Sequence, residues 1–526
     1  MCMTIDGGRK LFENTLGSGS GERLAISFCD DNKTYRDYTV HECRRATHAM
    51  ASRLQGQTKD LPCGMWAGLS MGIHPMWFPA LFALLERGFN VLMLSHDFDA
   101  ERTALCARLG GLKVIVTDKR LDVDGVKTID FDTLSAEPFE DVPPNPEPWA
   151  DLVGTCTSGT TGAISKFPVM SASTMMDSFY YTEKSLRGYP PYWEGTCKGN
   201  MAGKGAFFSL PLHHAYGNEF ALFFSHMGMP IYLCETKSVM RMLEIIREKS
   251  LWVSPTVPIV WKTFYQIMLG RFGEATPEAF RTLFGNGFGA GVSAGGTLDP
   301  NVRTGFAQVG LTICDFWATS ETPQGLMKVL NTRGSNHFDL DMSEYVKKVK
   351  LEDGTKADFG TGELMLKDGC ECKGYLSEGR LTPLALDEDG YIATGDVFEK
   401  RPEGYYFLGR CKNVIIGTDG ENVYPEELEM KFEFLTSAAE QYRIVGLDDA
   451  PALFVFPGER QSMEELLAHI REINSSLDIY KRVTRVFFAR RPMPSGIKGV
   501  KAKDLVPNLS AHPADYQEIV LIKKRG

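Results

Sequence analysis

Blocks of apolar residues along this chain change period and character in a way that predicts its layers. Leu24–Phe28 is a short apolar run that predicts a strand, and Val40–Leu54 repeats apolar residues at helical spacing with Glu and Arg on the other face. Val91–Leu94 and Lys113–Val116 are compact aliphatic and β-branched runs, the pattern of strands buried on both faces of a parallel sheet. Strands alternating with helices over 24–120 predict βαβ units. Five prolines between Pro138 and Pro148 mark an acidic, irregular connector. A second α/β stretch covers 205–330, with strands predicted at Gly205–Leu210, Pro230–Leu233 and Thr312–Phe316. Residues 340–408 become strand- and turn-rich, with Gly362–Leu366, Tyr391–Ile392 and Tyr405–Phe407 set among Asp-Gly turns at Asp353, Asp368 and Asp389. After Gly409 the pattern shifts to a compact α+β tail. The fold class is α/β: a large N-terminal domain (1–408) of two layered α/β subdomains plus a small β-rich subdomain, then a small α+β C-terminal domain (409–526).

Composition narrows the function classes. A 526-residue chain with 43% hydrophobic and 24% charged residues has ample material for large cores. Its net charge of −10 lacks the basic field of a nucleic-acid binder. Met1–Lys10 holds no apolar signal segment, and the most apolar region, Met65–Ser95, is interrupted by His74, Pro75, Glu86 and Arg87. No membrane span is predicted. Twelve cysteines without a secretory signal read as reduced thiols of a cytoplasmic protein. Cys370 with Cys372, and His213 with His214, are the pairs that hint at metal, but neither has a second half at ligand spacing.

The stretch most loaded with chemistry is Thr157, Ser158, Gly159, Thr160, Thr161 and Gly162, directly after the strand end at Leu152–Val153. Hydroxyls and glycines in this order let side-chain O–H and backbone N–H groups converge on phosphate oxygens, and glycine permits the conformations of an anion nest. A Ser/Thr/Gly cluster is also the composition of an ordinary loop. No Gly-Lys-Ser/Thr follows at the spacing that a Walker-type loop needs.

Further motifs follow in order: Pro211–Gly217 (Pro-Leu-His-His-Ala-Tyr-Gly), Ser293–Thr297 (Ser-Ala-Gly-Gly-Thr), Trp317–Glu321 (Trp-Ala-Thr-Ser-Glu), Thr394-Gly395-Asp396, Gly409–Asn413 and Gly420–Pro425. Together they resemble the adenylate-forming superfamily of acyl-CoA synthetases, peptide-synthetase adenylation domains and luciferases, closest to the acyl-CoA ligase-like members. The resemblance spans nearly the whole chain. Lys33–Tyr35 is similar to that family's early entry from strand to helix, and Met71–Leu94 to its first α/β unit.

The resemblance implies a role for each position. Thr157–Gly162 cradle the β- and γ-phosphates of ATP, with Lys166 as the loop's lysine, one place later than the family pattern and without its flanking proline and glycine. Ser293 and Gly295 line adenine. Trp317 stands where the family has tyrosine and offers an aromatic face to the base. Ser320 carries the hydroxyl for the α-phosphate, and Glu321 is the catalytic carboxylate that binds Mg²⁺. Asp396 takes the ribose hydroxyls, and Arg410 reaches the ribose or the phosphate. His214 gates the acyl pocket, while His213 is structural. Lys412 is the hinge of a mobile C-terminal domain. Lys498 bridges the carboxylate and α-phosphate oxygens, with Lys501 as reserve; here Ile497 separates the usual glycine from Lys498, and Lys501 replaces an arginine.

The implied reaction has two steps: a carboxylate attacks the α-phosphorus of Mg·ATP and expels pyrophosphate, then the C-terminal domain turns about Lys412 and presents the 417–421 loop to coenzyme A. His213-His-Ala-Tyr216 lacks the aspartate with which amino-acid adenylation domains hold an α-ammonium, which argues against an α-amino acid. Glycine-rich Gly285–Gly291 leaves room for an aryl or extended acyl group. A free carrier protein, a non-thiol nucleophile, and a catalytically impaired ATP-binding relative stand as alternatives. The oligomeric state, monomer or homodimer, is open.

Overall fold

The computed structural model describes residues 6–157, 166–187, 201, 203–323, 325–329, 337–341, 343–416, 421–432, 434–435, 439–457, 462–491 and 502–522. Two sheets form the large layered body. The first has eight strands in the order Arg380–Thr382, Gly374–Ser377, Pro168–Ser171, Leu152–Thr155, Asn90–Met93, Trp66–Ser70, Val114–Thr117 and Lys127–Asp130. The second has nine, in the order Leu340–Asp341, Leu326–Val329, Thr312–Trp317, Ala290–Ala294, Val253–Thr256, Ala206–Phe208, Ile231–Cys234, Leu24–Cys29 and Tyr35–Thr39. A continuous core of Phe12, Trp77, Phe82, Phe208, Phe224 and many smaller residues fills the space between them. Trp261, Phe264, Phe284 and Phe306 build a second, aromatic core on the outer face of the nine-stranded sheet.

Local signals set the element ends. Helix Val40–Gln57 starts on a capping box, in which Thr39 Oγ1 accepts from Glu42 N–H and Glu42 Oε2 accepts from Thr39 N–H. Helix Ala100–Gly110 runs from the Asp99 cap to Gly111 at φ +63°, where a Cβ would strike the backbone of Glu378 and Gly379. The charges inside the apolar segment 65–95 turn out to be anchors. Glu86, 1% exposed at the end of the all-buried helix Trp77–Glu86, accepts from Asn145 N–H at 2.7 Å and lies 2.8 Å from His48 Nδ1. It thereby ties the proline-rich connector to the core.

Two pairings differ from what the sequence pattern predicts. Leu24–Cys29 and Tyr35–Thr39 leave the first α/β stretch and join the nine-stranded sheet beside Ile231–Cys234. Gly374–Ser377 and Arg380–Thr382 leave the β-rich stretch and extend the eight-stranded sheet, with Gly374 opposite Val169 and Tyr375 opposite Pro168. Periodicity identifies a strand; its partner is set by packing between distant segments.

The rest of 346–410 forms a five-stranded antiparallel sheet around Leu364, Leu366 and Phe398. Beyond it, strands Ala439–Gly446, Pro451–Pro457, Arg485–Ala489 and Tyr516–Val520 make a four-stranded sheet with helices Met463–Ser476 and Ala502–Ala511. Buried clusters on its two faces give this tail a core of its own. Among the described residues no helix is long and apolar enough to cross a membrane.

Candidate active site

Loops leaving the C-terminal ends of parallel strands in both large sheets gather the expected residues, the usual place for a ligand in open α/β sheets. Leu152–Thr155 leads into Thr157, whose N–H and Oγ1 both donate to the carbonyl of Lys166 at 3.0 Å. That double contact clasps the ends of the glycine-threonine loop. Ser158, Gly159, Thr160, Thr161 and Gly162 themselves lie outside the described residues. Exposed Lys166 places its Nζ 4.9 Å from the ring centroid of Tyr375.

Tyr375 connects this loop to the next motif. Its Oη donates to Glu321 Oε1 at 2.7 Å, and Cys372 N–H donates to the Glu321 carbonyl at 2.8 Å. Burial first, and then the Glu321 carboxylate, push the Tyr375 hydroxyl far above its ordinary range. Glu321 follows the strand Thr312–Trp317 in a turn held by Thr319 and Thr322, whose hydroxyls lie 2.8 Å apart. Ser320 is half-buried in the same turn. Among the described residues no group of three or more His, Cys, Asp or Glu side chains is arranged to hold a metal. A lone carboxylate such as Glu321 still fits Mg²⁺, which takes one or two protein carboxylates and completes its shell with water and phosphate oxygens.

On the other side of the turn, Trp317 Nε1–H donates to Asp396 Oδ2 at 2.7 Å, and Arg410 Nε stands 2.7 Å from Asp396 Oδ1. Asp396 and Arg410 are register partners on strands Ile392–Arg401 and Gly404–Arg410. A register shift opposite Glu363–Met365, with Gly395 at φ +74°, turns Asp396 inward. Thr394 Oγ1 and Glu363 Oε1 receive or give the hydrogen bonds that fix this bulge. At 1% exposure the Asp396 carboxyl is pushed up to about 6 by burial, with Arg410 and Trp317 pulling it down.

Some expected placements change. Ser293 sits inside strand Ala290–Ala294 in register with Thr256 and Asp315, at 0% exposure and with an Oγ that has no hydrogen-bond partner. Its side chain does not line the opening. The exposed part of that motif is the backbone of Gly295–Thr297, where Gly295 at φ +80° turns the chain out of the strand. Trp317 is 9% exposed and packed edge-on against Phe398, so little of its face is open to a base. Half-buried His214 stands at the first position before helix Ala215–His226, and burial beside His214 and His96 pushes its neighbour His213 down to about 3. Lys412 is exposed in the short turn Cys411–Asn413. Lys498, Lys501 and the 417–420 loop lie outside the described residues.

Two neighbours of the site escaped the sequence. Tyr375 carried no motif of its own; the signal was an aromatic residue in a short strand three residues after Cys372. Glu219, on the helix that also presents Tyr216 and Phe220, has its carboxyl pushed up to about 8 by burial. Phe220 packs against Phe316, directly before Trp317, with ring centroids 5.3 Å apart.

This architecture, two α/β layers with a β-rich subdomain and a small α+β tail, is that of the adenylate-forming enzymes. Residues 14–376 match the model of the AMP-binding enzyme family, and the chain belongs to that family. It is 26% identical over 468 residues to the 2-succinylbenzoate–CoA ligase of Bacillus pumilus (strain SAFR-032), covering 85% of this chain and 88% of that one. Over 154 residues (28% of this chain and 24% of the relative) it is 32% identical to the mitochondrial medium-chain acyl-CoA ligase ACSF2 of Homo sapiens. Among solved structures it is similar to o-succinylbenzoate CoA synthetase of Bacillus subtilis in complex with its acyl-adenylate intermediate, with TM-score 0.73, 20% identity, and coverage of 95% and 97% of the two chains. The same synthetase with ATP and magnesium ion superposes with TM-score 0.73 at 19% identity, over 95% of this chain and 99% of that one. At this identity the likeness establishes the fold.

Proposed function

We propose that this chain activates a carboxylic acid with ATP, releases pyrophosphate, and transfers the acyl group from the resulting acyl-AMP to the thiol of coenzyme A. The observation that carries this is two runs of side-chain contacts that meet on the segment Trp317–Glu321. Thr157 clasps Lys166, Lys166 stands over Tyr375, and Tyr375 donates to Glu321; four residues before Glu321, Trp317 reaches Asp396 and Arg410. Groups suited to phosphate, a divalent ion and a ribose thus flank one short segment, Trp317–Glu321.

Each residue has a task in this reading. Thr157 and Lys166 hold the phosphate end, Ser320 meets the α-phosphate, and Asp396 with Arg410 fixes the ribose. Mg²⁺, held by Glu321, would neutralise charge on the phosphates. Lys498 offsets the charge that builds on the α-phosphate as the carboxylate oxygen attacks and the bond to pyrophosphate breaks. The residues beyond Lys412, which follows the strand Gly404–Arg410, swing about it between the two half-reactions. His214 and the face of helix Ala215–His226 border the acyl side.

The test is acid-dependent pyrophosphate release across a panel that includes 2-succinylbenzoate, aryl acids and medium- and long-chain fatty acids, followed by mass spectrometry for the coenzyme A thioester. Release with one class, together with its thioester, supports the reading. Release without thioester moves the acceptor to a carrier protein or another nucleophile. ATP binding with no release on any acid refutes the ligase reading.

A further inference from the structure

Trp317 closes one side of the Asp396 carboxylate, and its own surroundings leave it little else to do. The indole packs edge-on against Phe398, with centroids 5.1 Å apart and planes at 84°, inside the cluster of Leu326, Phe338 and Leu364. Its N–H is committed to Asp396 Oδ2 at 2.7 Å. We propose that Trp317 is a positioning residue: it holds Asp396 charged and in one orientation, so that the carboxylate reads the ribose hydroxyls of ATP. The proposal rests on the reading of this chain as an ATP-dependent ligase.

The charges around Asp396 explain why a second donor is needed. Burial favours the protonated acid, and Glu426 on helix Pro425–Lys431 and Glu363 on strand Gly360–Lys367 push the same way. Arg410 pulls toward the anion. Cys411, beside Arg410, remains a neutral thiol because burial, Glu363 and Asp396 raise it to about 11. One guanidinium, its side chain 45% exposed and so partly screened by water, faces two acidic neighbours. The Trp317 N–H is the contact that adds to it from inside the protein, where a hydrogen bond to a charged group is strong.

Orientation matters as much as charge. With Oδ2 taken by the indole, the carboxylate plane is fixed. Oδ1 is buried beside Arg410 yet makes no hydrogen bond of good geometry, so its lone pair becomes available to a hydroxyl donor once the half-exposed Arg410 side chain moves aside. Rotation of an unheld carboxylate would lose that arrangement.

Calorimetric titration of the full chain with ATP and with 2′,3′-dideoxy-ATP, both with Mg²⁺, tests the proposal. Wild type is expected to prefer ATP by about tenfold or more, the worth of at least one charge-assisted hydrogen bond. Trp317→Phe keeps the ring and loses the donor. It should weaken ATP by about tenfold and leave 2′,3′-dideoxy-ATP nearly unchanged, so the preference collapses. The pH below which ATP binding fades should also move up from about 6 toward neutrality. In an Asp396→Asn background the same substitution should cost nothing further. Equal weakening of both nucleotides, or losses that add in the double variant, would mean that Trp317 serves adenine directly and would overturn the proposal. Trp317→Tyr, which moves the donor to the ring tip, is the second variant should Trp317→Phe not fold, with the same expected outcomes. A wild type that binds neither nucleotide overturns the ligase reading itself; equal weakening overturns the positioning role alone.

Discussion

Asp396→Asn is expected to make the protein more stable at neutral pH while removing its grip on ATP. The carboxyl is 1% exposed, and burial lifts it from its ordinary 3.8 to about 6 even after Arg410 and Trp317 have pulled it down. A tenfold change in proton affinity is worth about 1.4 kcal/mol, so this displacement corresponds to about 3 kcal/mol. The sign follows from which state holds the proton. Between pH 3.8 and about 6 the folded chain binds a proton here that the unfolded chain has already lost. Stability therefore falls as pH rises through that window, and the whole cost is present above it. Asparagine carries no charge at any pH. Its oxygen can still accept from Trp317, and the released Arg410 side chain, 45% exposed, regains water. The expected gain is thus about 1–3 kcal/mol near pH 8, shrinking toward zero near pH 4. Urea unfolding followed by far-UV circular dichroism at both pH values reads the gain, and ATP titration reads the functional loss. A variant no more stable than wild type at either pH would show that the carboxylate is not held at a cost, and would sink the reasoning.

Other residues give smaller, sharper tests. Tyr375→Phe removes the 2.7 Å bond to Glu321 and should raise the KM for Mg·ATP about tenfold in a pyrophosphate-release assay, with Mg²⁺ titrated as the second variable. Lys166→Ala should weaken ATP several-fold by calorimetry and leave AMP untouched, since a lysine reaching past the α-phosphate has nothing to hold in AMP; an equal effect on both excludes that role. His213 resists protonation in the fold down to about 3, against an ordinary 6.5, so below that ordinary value the unfolded state gains protons that the folded state refuses. Stability should therefore fall with pH from about 6.5 downward, and His213→Gln should flatten that slope in a thermal-shift series. A Cβ at Gly325 would overlap the carbonyl oxygen of Trp317; Gly325→Ala should cost about 1–3 kcal/mol in urea unfolding and lower ATP affinity with it.

What the sequence disclosed was chemistry that lies within a few residues, and what it hid was chemistry assembled across elements. Leu152–Thr155 and Thr312–Trp317 are legible because an apolar run followed by Gly, Ser, Thr or Glu marks both a buried strand and the loop at its end. Ser293 shows the limit of the same method. Ser-Ala-Gly-Gly-Thr has the composition of a loop throughout, and only pairing with Thr256 and Asp315 reveals that its first residue is strand interior. Tyr375 is hidden for a topological reason: its strand crosses from a β-rich stretch into a distant sheet, opposite Pro168, and so arrives beside Lys166. Trp317 and Asp396 are 79 residues apart, and the exchange of one aromatic residue for another at position 317 reads as conservative until the indole N–H is found on the carboxylate. Asp396 is the general case. Its identity as the acid after Thr-Gly is written in the chain, but its readiness to carry a charge is decided by Trp317, Glu363, Arg410 and Glu426, on four different elements. A motif can name the residue that touches the substrate; the groups that set its charge are contributed by the fold, and the Trp317 and Asp396 variants are chosen to separate the two.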